Sequence, residues 1–280
     1  MPTIDEKRRI FRSLHETGCF AIPNPWDIGT ARYLQSLGFK ALASTSAGFA
    51  FSRGRPDGGV SREEMLAHLR EIVAATDLPV NADFENGYAH EPDAVAESVR
   101  LCVETGVAGL SIEDASGLPD KPLYDFDQAV ARVRAARAAI DRSGSGALLT
   151  GRAECFLHGR PELDEAIRRL VAFAQAGADC LYAPGIRTSE QISAVIEAVA
   201  PKPVNVLVGF ASELSVADLT ALGARRISVG GALSRAAWGG FIRAAKLIAE
   251  KGRFDGFADA APHADLNRLF REGQAQRPSQ

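Results

Sequence analysis

The 280-residue chain is predicted to fold as an α/β protein, a (β/α)8 barrel of the TIM type. Three observations lead there. Eight short apolar runs alternate with amphipathic runs of helical period, the pattern of successive βα units, which demand a parallel sheet. Gly-containing stops recur ahead of strands, at Leu37-Gly38-Phe39-Lys40, Thr105-Gly106-Val107-Ala108, Ala176-Gly177-Ala178-Asp179 and Leu222-Gly223-Ala224-Arg225. Each places glycine where a helix needs a left-handed cap before the next strand. No Gly-rich dinucleotide fingerprint follows the first strand, which weakens an open doubly wound sheet.

Taken in order, strands are expected at Phe20–Pro23, Ala41–Thr45, Val80–Asp83, Gly109–Ile112, Leu148–Arg152, Cys180–Tyr182, Val204–Leu207 and Ile227–Val229, each a short continuous apolar run suited to burial on both faces. Helices are expected at Arg62–Ala75, Asp93–Thr105, Asp127–Asp141, Glu162–Ala176, Ser189–Ala200 and Ser215–Leu222. In the fourth of these, Leu163, Ala166, Ile167, Leu170 and Phe173 share one face at helical period. The barrel is expected to occupy residues 1–250, a helical extension residues 251–272, and a polar, disordered tail residues 273–280. Arg235–Lys251 reads as one long amphipathic helix, followed by Phe254, Phe257, Ala258 and a short helical pattern at Ala264–Arg271. Apolar residues beyond what one barrel needs predict docking on a neighbouring subunit, and hence a homo-oligomer.

Composition narrows the function. Hydrophobic residues make up 46% and charged residues 24% of the chain, as in ordinary globular proteins. A net charge of -3 gives no electrostatic reason to expect nucleic acid or an anionic membrane as partner. No apolar run approaches the ~18 residues of a bilayer span, and Met1 to Arg12 is charged, without the apolar core of a signal peptide. Cys19, Cys102, Cys155 and Cys180 are widely spaced and read as reduced thiols, mostly buried, so a cytoplasmic location is expected.

Barrel enzymes draw their functional groups from the C-terminal ends of the strands and the loops that follow. In order these ends offer Asn24, Trp26 and Asp27; Ser44, Thr45, Ser46 and Gly48, then Arg55 and Asp57; Asp83 and Glu85; Glu113 and Asp114; Arg152 and Glu154; Tyr182; Asn205; and Gly230 with Gly231. Asp83 and Glu85, at i and i+2, are expected to share one side of the third strand. Two carboxylates so close are costly to ionise unless something offsets them, and a divalent cation with few protein ligands would do so. The other reading is a solvated loop with two unrelated acids. Arg152 lies further round the ring, where its planar fork suits a carboxylate; its alternative is a structural ion pair with Glu154 or Glu113. Acids on one wall and a guanidinium on another would clamp a small dianion or an α-keto acid.

The motif Asp83-Phe84-Glu85-Asn86-Gly87-Tyr88 resembles the signature of the isocitrate lyase and phosphoenolpyruvate mutase superfamily. Asn24-Pro25-Trp26-Asp27, Ser44–Gly48, Gly54-Arg55-Pro56-Asp57-Gly58, Ile112-Glu113-Asp114 and Gly151-Arg152-Ala153-Glu154 follow in that superfamily's order. The resemblance implies a barrel whose eighth helix swaps with a neighbour in a dimer or tetramer. It also implies a magnesium ion, with manganese as an alternative, held by Asp83 directly and by Glu85 and Glu113 directly or through water. Asp57 would approach the metal water or substrate. Ser46, Ala47, Gly48, Arg152 and Asn205 would bind an α-keto or α-hydroxy acid, and Tyr88 is a candidate proton donor. The shared chemistry is a pyruvate-like enolate formed by cleaving or making a bond at the third carbon.

The departures are as informative. Isocitrate and methylisocitrate lyases carry a Lys-Lys/Arg-Cys-Gly-His loop after the fourth strand, whereas this chain reads Glu113-Asp114-Ala115-Ser116-Gly117-Leu118-Pro119-Asp120-Lys121-Pro122-Leu123-Tyr124. That points away from both lyases and toward the branch with oxaloacetate decarboxylase and dimethylmalate lyase. Tyr124, Lys121, Ser116, Cys155 and Glu154 are the candidates to replace the missing acid. The expectation is a magnesium-dependent carbon-carbon lyase or decarboxylase for a small 2-keto or 2-hydroxy dicarboxylate. Its rivals are a phosphonopyruvate hydrolase or P–C bond mutase, and an α-keto acid binding protein without turnover.

Overall fold

The computed structural model describes residues 2–275. Its strands are β1 (Phe20–Ile22), β2 (Leu42–Ala43), β3 (Val80–Asp83), β4 (Gly109–Glu113), β5 (Ala115–Leu118), β6 (Lys121–Leu123), β7 (Leu148–Arg152), β8 (Cys180–Tyr182), β9 (Val204–Leu207) and β10 (Arg226–Ser228). Eight of them form one parallel sheet in the order β1-β10-β9-β8-β7-β4-β3-β2. Ala43 N donates to Pro23 O at 3.1 Å, which joins the two edges and makes the sheet a (β/α)8 barrel. β5 and β6 form a separate antiparallel hairpin in the loop after the fourth barrel strand.

The strands divide their side chains by period two. Leu110, Ile112, Leu149, Leu181, Val204, Val206 and Ile227 are buried in the layer between sheet and helices. Asn81, Asp83, Ser111, Arg152, Asn205, Arg226 and Ser228 line the lumen. Barrel interiors are usually filled by bulky branched residues; above an apolar plug at its N-terminal end this one is lined largely by polar side chains, and it positions the site.

The helices are α1 (Ile4–Leu14), α2 (Ile28–Ser36), α3 (Ser46–Ser52), α4 (Arg62–Ala75), α5 (Pro92–Glu104), α6 (Phe126–Ser143), α7 (Leu163–Gln175), α8 (Ser189–Val199), α9 (Val216–Ala221), α10 (Ala232–Lys251) and α11 (His263–Ala275). α1 is absent from the helices that periodicity marks. Its Thr3 and Glu6 form a capping box, and it closes the N-terminal end of the barrel. Phe11 is fully buried there among Phe20, Ile22, Ala43 and Leu148. Lys7 Nζ donates to Val73 O and Thr76 O, and Arg8 to Val103 O and Val107 O, so cations meet carbonyls at and just beyond the C-terminal ends of α4 and α5.

Four strands differ from their expected bounds, the first and fourth by one residue at their ends, the second and eighth for visible reasons. The second stops at Ala43 because Thr45 leaves it to cap α3, accepting from Gly48 N at 3.1 Å. The eighth starts and ends one residue early because Val229 N and Gly230 N turn to Asn24 Oδ1, at 3.0 and 2.9 Å. α11 continues through Ala275, into the stretch expected as tail; residues 276–280 lie outside the described residues. α10 buries only Ser234 and leaves Trp238, Phe241 and Ile242 exposed. Beside it, an apolar cavity of about 570 Å³ opens between α2 and α9, lined by Tyr33, Leu37, Phe39, Leu214 and Val216 among others.

Candidate active site

A cavity of about 150 Å³ runs down the lumen from the C-terminal mouth, and Ser46, Ala47, Asp57, Asp83, Arg152 and Asn205 line it together with Tyr182 and Arg226. Asp83 ends β3. Its Oδ2 accepts from Ser46 N and Ser46 Oγ, both at 2.9 Å, and Arg152 Nη1 lies 3.1 Å from its Oδ1. The same Nη1 is 3.2 Å from Glu113 Oε2, and Arg152 Nε donates to Glu154 Oε1. The ion pairs that form the alternative reading of Arg152 are therefore present, and Asp83 joins them. Tyr182 supports the guanidinium from the side, its ring centroid 5.1 Å from Cζ. Burial pushes the Tyr182 phenol up to about 12.

Five carboxylates lie around this one guanidinium, and burial and crowding raise the pKa of Asp57, Glu85, Glu113 and Glu154. Asp57 belongs to an exposed loop, yet its carboxyl faces the mouth, where desolvation and Asp83 raise its pKa. Glu85 is raised to about 7, chiefly by burial. Glu113 lies well above the usual range because burial outweighs the pull of Arg152, and Glu154 is raised for the same reason. Excess buried negative charge asks for protons or a cation, and oxygen donors of this kind suit magnesium or manganese. Among the described residues no three Asp, Glu, His or Cys side chains converge on one metal position. The donor set therefore fits a cation with one direct carboxylate and the rest of its shell water and substrate, the habit of magnesium.

Other expected residues sit elsewhere than alternation or position suggests. β3 stops at Asp83, so Glu85 lies beyond the strand in a tight turn, with Gly87 N bonded to Phe84 O at 2.8 Å. Glu85 and Tyr88 both take the left-handed region, φ 47° and 55°, uncommon for residues with a Cβ. The turn aims Glu85 at Tyr88, whose hydroxyl donates to Glu85 Oε1 at 2.8 Å. Burial and Glu85 raise the Tyr88 pKa, the opposite of what proton donation at that phenol requires. Neither Glu85, Glu113, Tyr88 nor Gly48 lines the cavity. Gly48 is a packing glycine, since a Cβ there would meet Thr45 Cγ2 at 2.6 Å. Asn205 faces the lumen but is engaged below the mouth, donating to Ser228 Oγ and accepting from Arg226 Nε.

The loop after the fourth strand is ordered by its own contacts. Lys121 pairs with Asp125, and Ser116 Oγ bonds Lys121 O within the hairpin. Tyr124 is buried, its hydroxyl 2.7 Å from His90 Nδ1 and its ring under Arg132. Asp114 locks the loop's base, accepting from Glu154 N at 2.7 Å and pairing with Arg169 at 3.0 Å. Burial raises the Cys155 thiol to about 11, which removes it as an activated group. The four cysteines are free thiols, and among the described residues no helix is long and apolar enough to cross a membrane. Alternation and strand-end position miss Arg226, because a cation that opens a strand reads as surface.

The profile of the phosphoenolpyruvate phosphomutase family matches residues 11–249. A solved Burkholderia cenocepacia protein, described in general terms as a lyase/mutase, is 50% identical with TM-score 0.92 over 95% of this chain and 96% of that one. The structure of 2,3-dimethylmalate lyase is 28% identical with TM-score 0.84 over 99% of this chain and 97% of its own. An oxaloacetate decarboxylase of Bradyrhizobium sp. (strain ORS 278) is 32% identical over 73% of this chain and 70% of its own length.

Proposed function

The chain belongs to the phosphoenolpyruvate phosphomutase family, within the isocitrate lyase/phosphoenolpyruvate mutase superfamily of lyases and mutases, and on that premise we propose that it is a magnesium-dependent carbon-carbon lyase or decarboxylase. Its substrate would be a small 2-keto or 2-hydroxy dicarboxylate, cleaved to a pyruvate-like enolate. The observation that carries this reading is Arg152 set among Asp83, Glu113 and Glu154 at the barrel mouth. The kinship with an oxaloacetate decarboxylase and a dimethylmalate lyase supports the reaction class.

In this reading Asp83 holds the metal directly, and Glu85 and Glu113 act on it through water. A bound magnesium supplies Lewis-acid stabilisation of the charge that develops on the enolate oxygen. Ser46 fixes the Asp83 carboxylate, and Tyr88 fixes Glu85. Arg152 orients the substrate's carboxylate with its fork. Asp57, at the rim with its pKa raised, carries the proton at the mouth, and the hairpin with Tyr124 limits water there. The exposed apolar face of α10 and the open groove between α2 and α9 support a helix-swapped homodimer or homotetramer, in which the partner's eighth helix fills the groove.

The test is product analysis. Full-length protein is mixed with oxaloacetate, dimethylmalate and phosphonopyruvate, with and without magnesium, and pyruvate and phosphate are measured. Metal-dependent pyruvate from a dicarboxylate without phosphate is expected. Phosphate released with pyruvate would make it a phosphonopyruvate hydrolase, and no turnover of any substrate would leave an α-keto acid binding protein.

A further inference from the structure

The inner end of the lumen holds a cation that the chemistry above does not use. Arg226 is 3% exposed and lines the same cavity as Arg152. Its Nε donates to Asn205 Oδ1 at 2.8 Å, its Nη2 donates to Thr150 Oγ1 at 3.1 Å, and its Nη1 lies 3.4 Å from His15 Nε2. Thr150 stands two residues inward of Arg152 on β7, so this guanidinium tip lies deeper than the first. All three partners are neutral, since burial and Arg226 itself lower the His15 pKa to about 3. They use at most three of its five N–H groups.

The other buried arginines are better served. Arg169 pairs with Asp114 and Glu165, and Arg132 is held by the carbonyls of Asn86, Ala89 and His90. Among the described residues no carboxylate lies within 4.0 Å of Arg226. A buried charge without a counter-charge is costly, and this one borders a cavity. A second, independent sign lies beside it. Asn81 is 4% exposed and lines the same space, yet its Oδ1 has no hydrogen-bond partner. An unpaired cation and an unpaired acceptor in one polar shaft ask for a ligand with a negative group and a hydroxyl or water donor.

We propose that the inner lumen is a second anion subsite, in which Arg226 receives a carboxylate while Asn81 accepts from a hydroxyl or water beside it. Two sources share that chemistry. One is the distal carboxylate of the substrate, which would then lie along the barrel axis between Arg152 and Arg226; in this form the inference rests on the function proposed above. The other is a free small carboxylate such as formate, for which it stands alone.

Calorimetric titration of the full-length protein with lactate, malate and formate separates them. If the substrate supplies the carboxylate, malate binds about tenfold or more tighter than lactate, the value of a charge-assisted hydrogen bond. Arg226→Met then erases that ratio with lactate affinity within about twofold. If a free anion supplies it, formate binds the wild type, tightens lactate, and does neither in Arg226→Met. A folded Arg226→Met protein that binds malate and formate as the wild type does overturns the subsite, as does a wild type with no malate preference and no formate binding. Should Arg226→Met not fold, the Tm of Arg152→Met protein in rising formate is read beside the wild-type malate preference: an increase supports the subsite, and a flat response without that preference overturns it. A malate preference without turnover of any substrate would sink the functional reading alone.

Discussion

Arg152 Nη1 lies 3.1 Å from Asp83 Oδ1, so the side chain proposed to hold substrate and the one proposed to hold metal are in direct contact. Their roles still separate by chemistry. Arg152→Lys keeps the charge and loses the fork. We expect KM for the keto acid to rise about tenfold or more, with magnesium affinity changed less than about threefold. Equal losses of both, measured by kinetics and metal titration, would remove Arg152 as the substrate clamp.

Asp83→Ala should abolish magnesium binding in calorimetry, because no three other side chains converge to replace it. Ser46 and Arg152, the latter still paired with Glu113 and Glu154, would remain at the mouth. Retained magnesium affinity in a folded variant would sink the metal site.

Tyr88→Phe removes the hydrogen bond that holds Glu85. Outer partners of metal ligands are typically worth 10–100-fold in affinity, so magnesium should bind about tenfold more weakly with kcat largely restored at saturating metal. If Tyr88 were instead the proton donor, kcat would collapse at every metal concentration.

His68 gives a pH test on stability. It is buried on α4, stacked on Phe49 at 3.8 Å, and burial lowers its pKa from 6.5 to about 4. The unfolded chain therefore binds more protons between those values, and stability falls as pH drops from about 6.5 toward 4. His68→Phe should flatten that part of the stability curve, by on the order of 3 kcal/mol across the window. Superimposable pH profiles of chemical denaturation for the two proteins would contradict it.

Phe241→Glu with Trp238→Glu places charge on the exposed face of α10. Light scattering should find an oligomer for the wild type and a monomer for the double variant. An unchanged mass would put the subunit contact elsewhere.

The strands were legible because a parallel strand buried on both faces must be apolar, and glycine caps marked where each helix gave way. Asp57, Asp83, Arg152 and Ser46 were legible because strand ends in a barrel face one mouth. Glu85 was misjudged by alternation, which ends with β3 at Asp83; the left-handed turn beyond it has no periodicity to read. The Ala115–Leu123 hairpin escaped because its polar, Gly-Pro-rich sequence looks like any loop, and its order comes from long-range partners, His90 and Arg132 on Tyr124 and Arg169 on Asp114. Arg226 escaped because nothing local distinguishes an arginine turned into a lumen from one turned to solvent.

The seal that α1 makes beneath the barrel, with Phe11 pressed against β1 and β4, gives the lumen a single door. Whatever enters past Arg152 must leave the way it came. When a substrate is split inside such a blind tube, the fragment nearer the mouth departs first and the deeper one waits behind it. On the proposed reaction, traffic, and with it the pattern of product inhibition, would thus be ordered by a helix at the far end of the molecule.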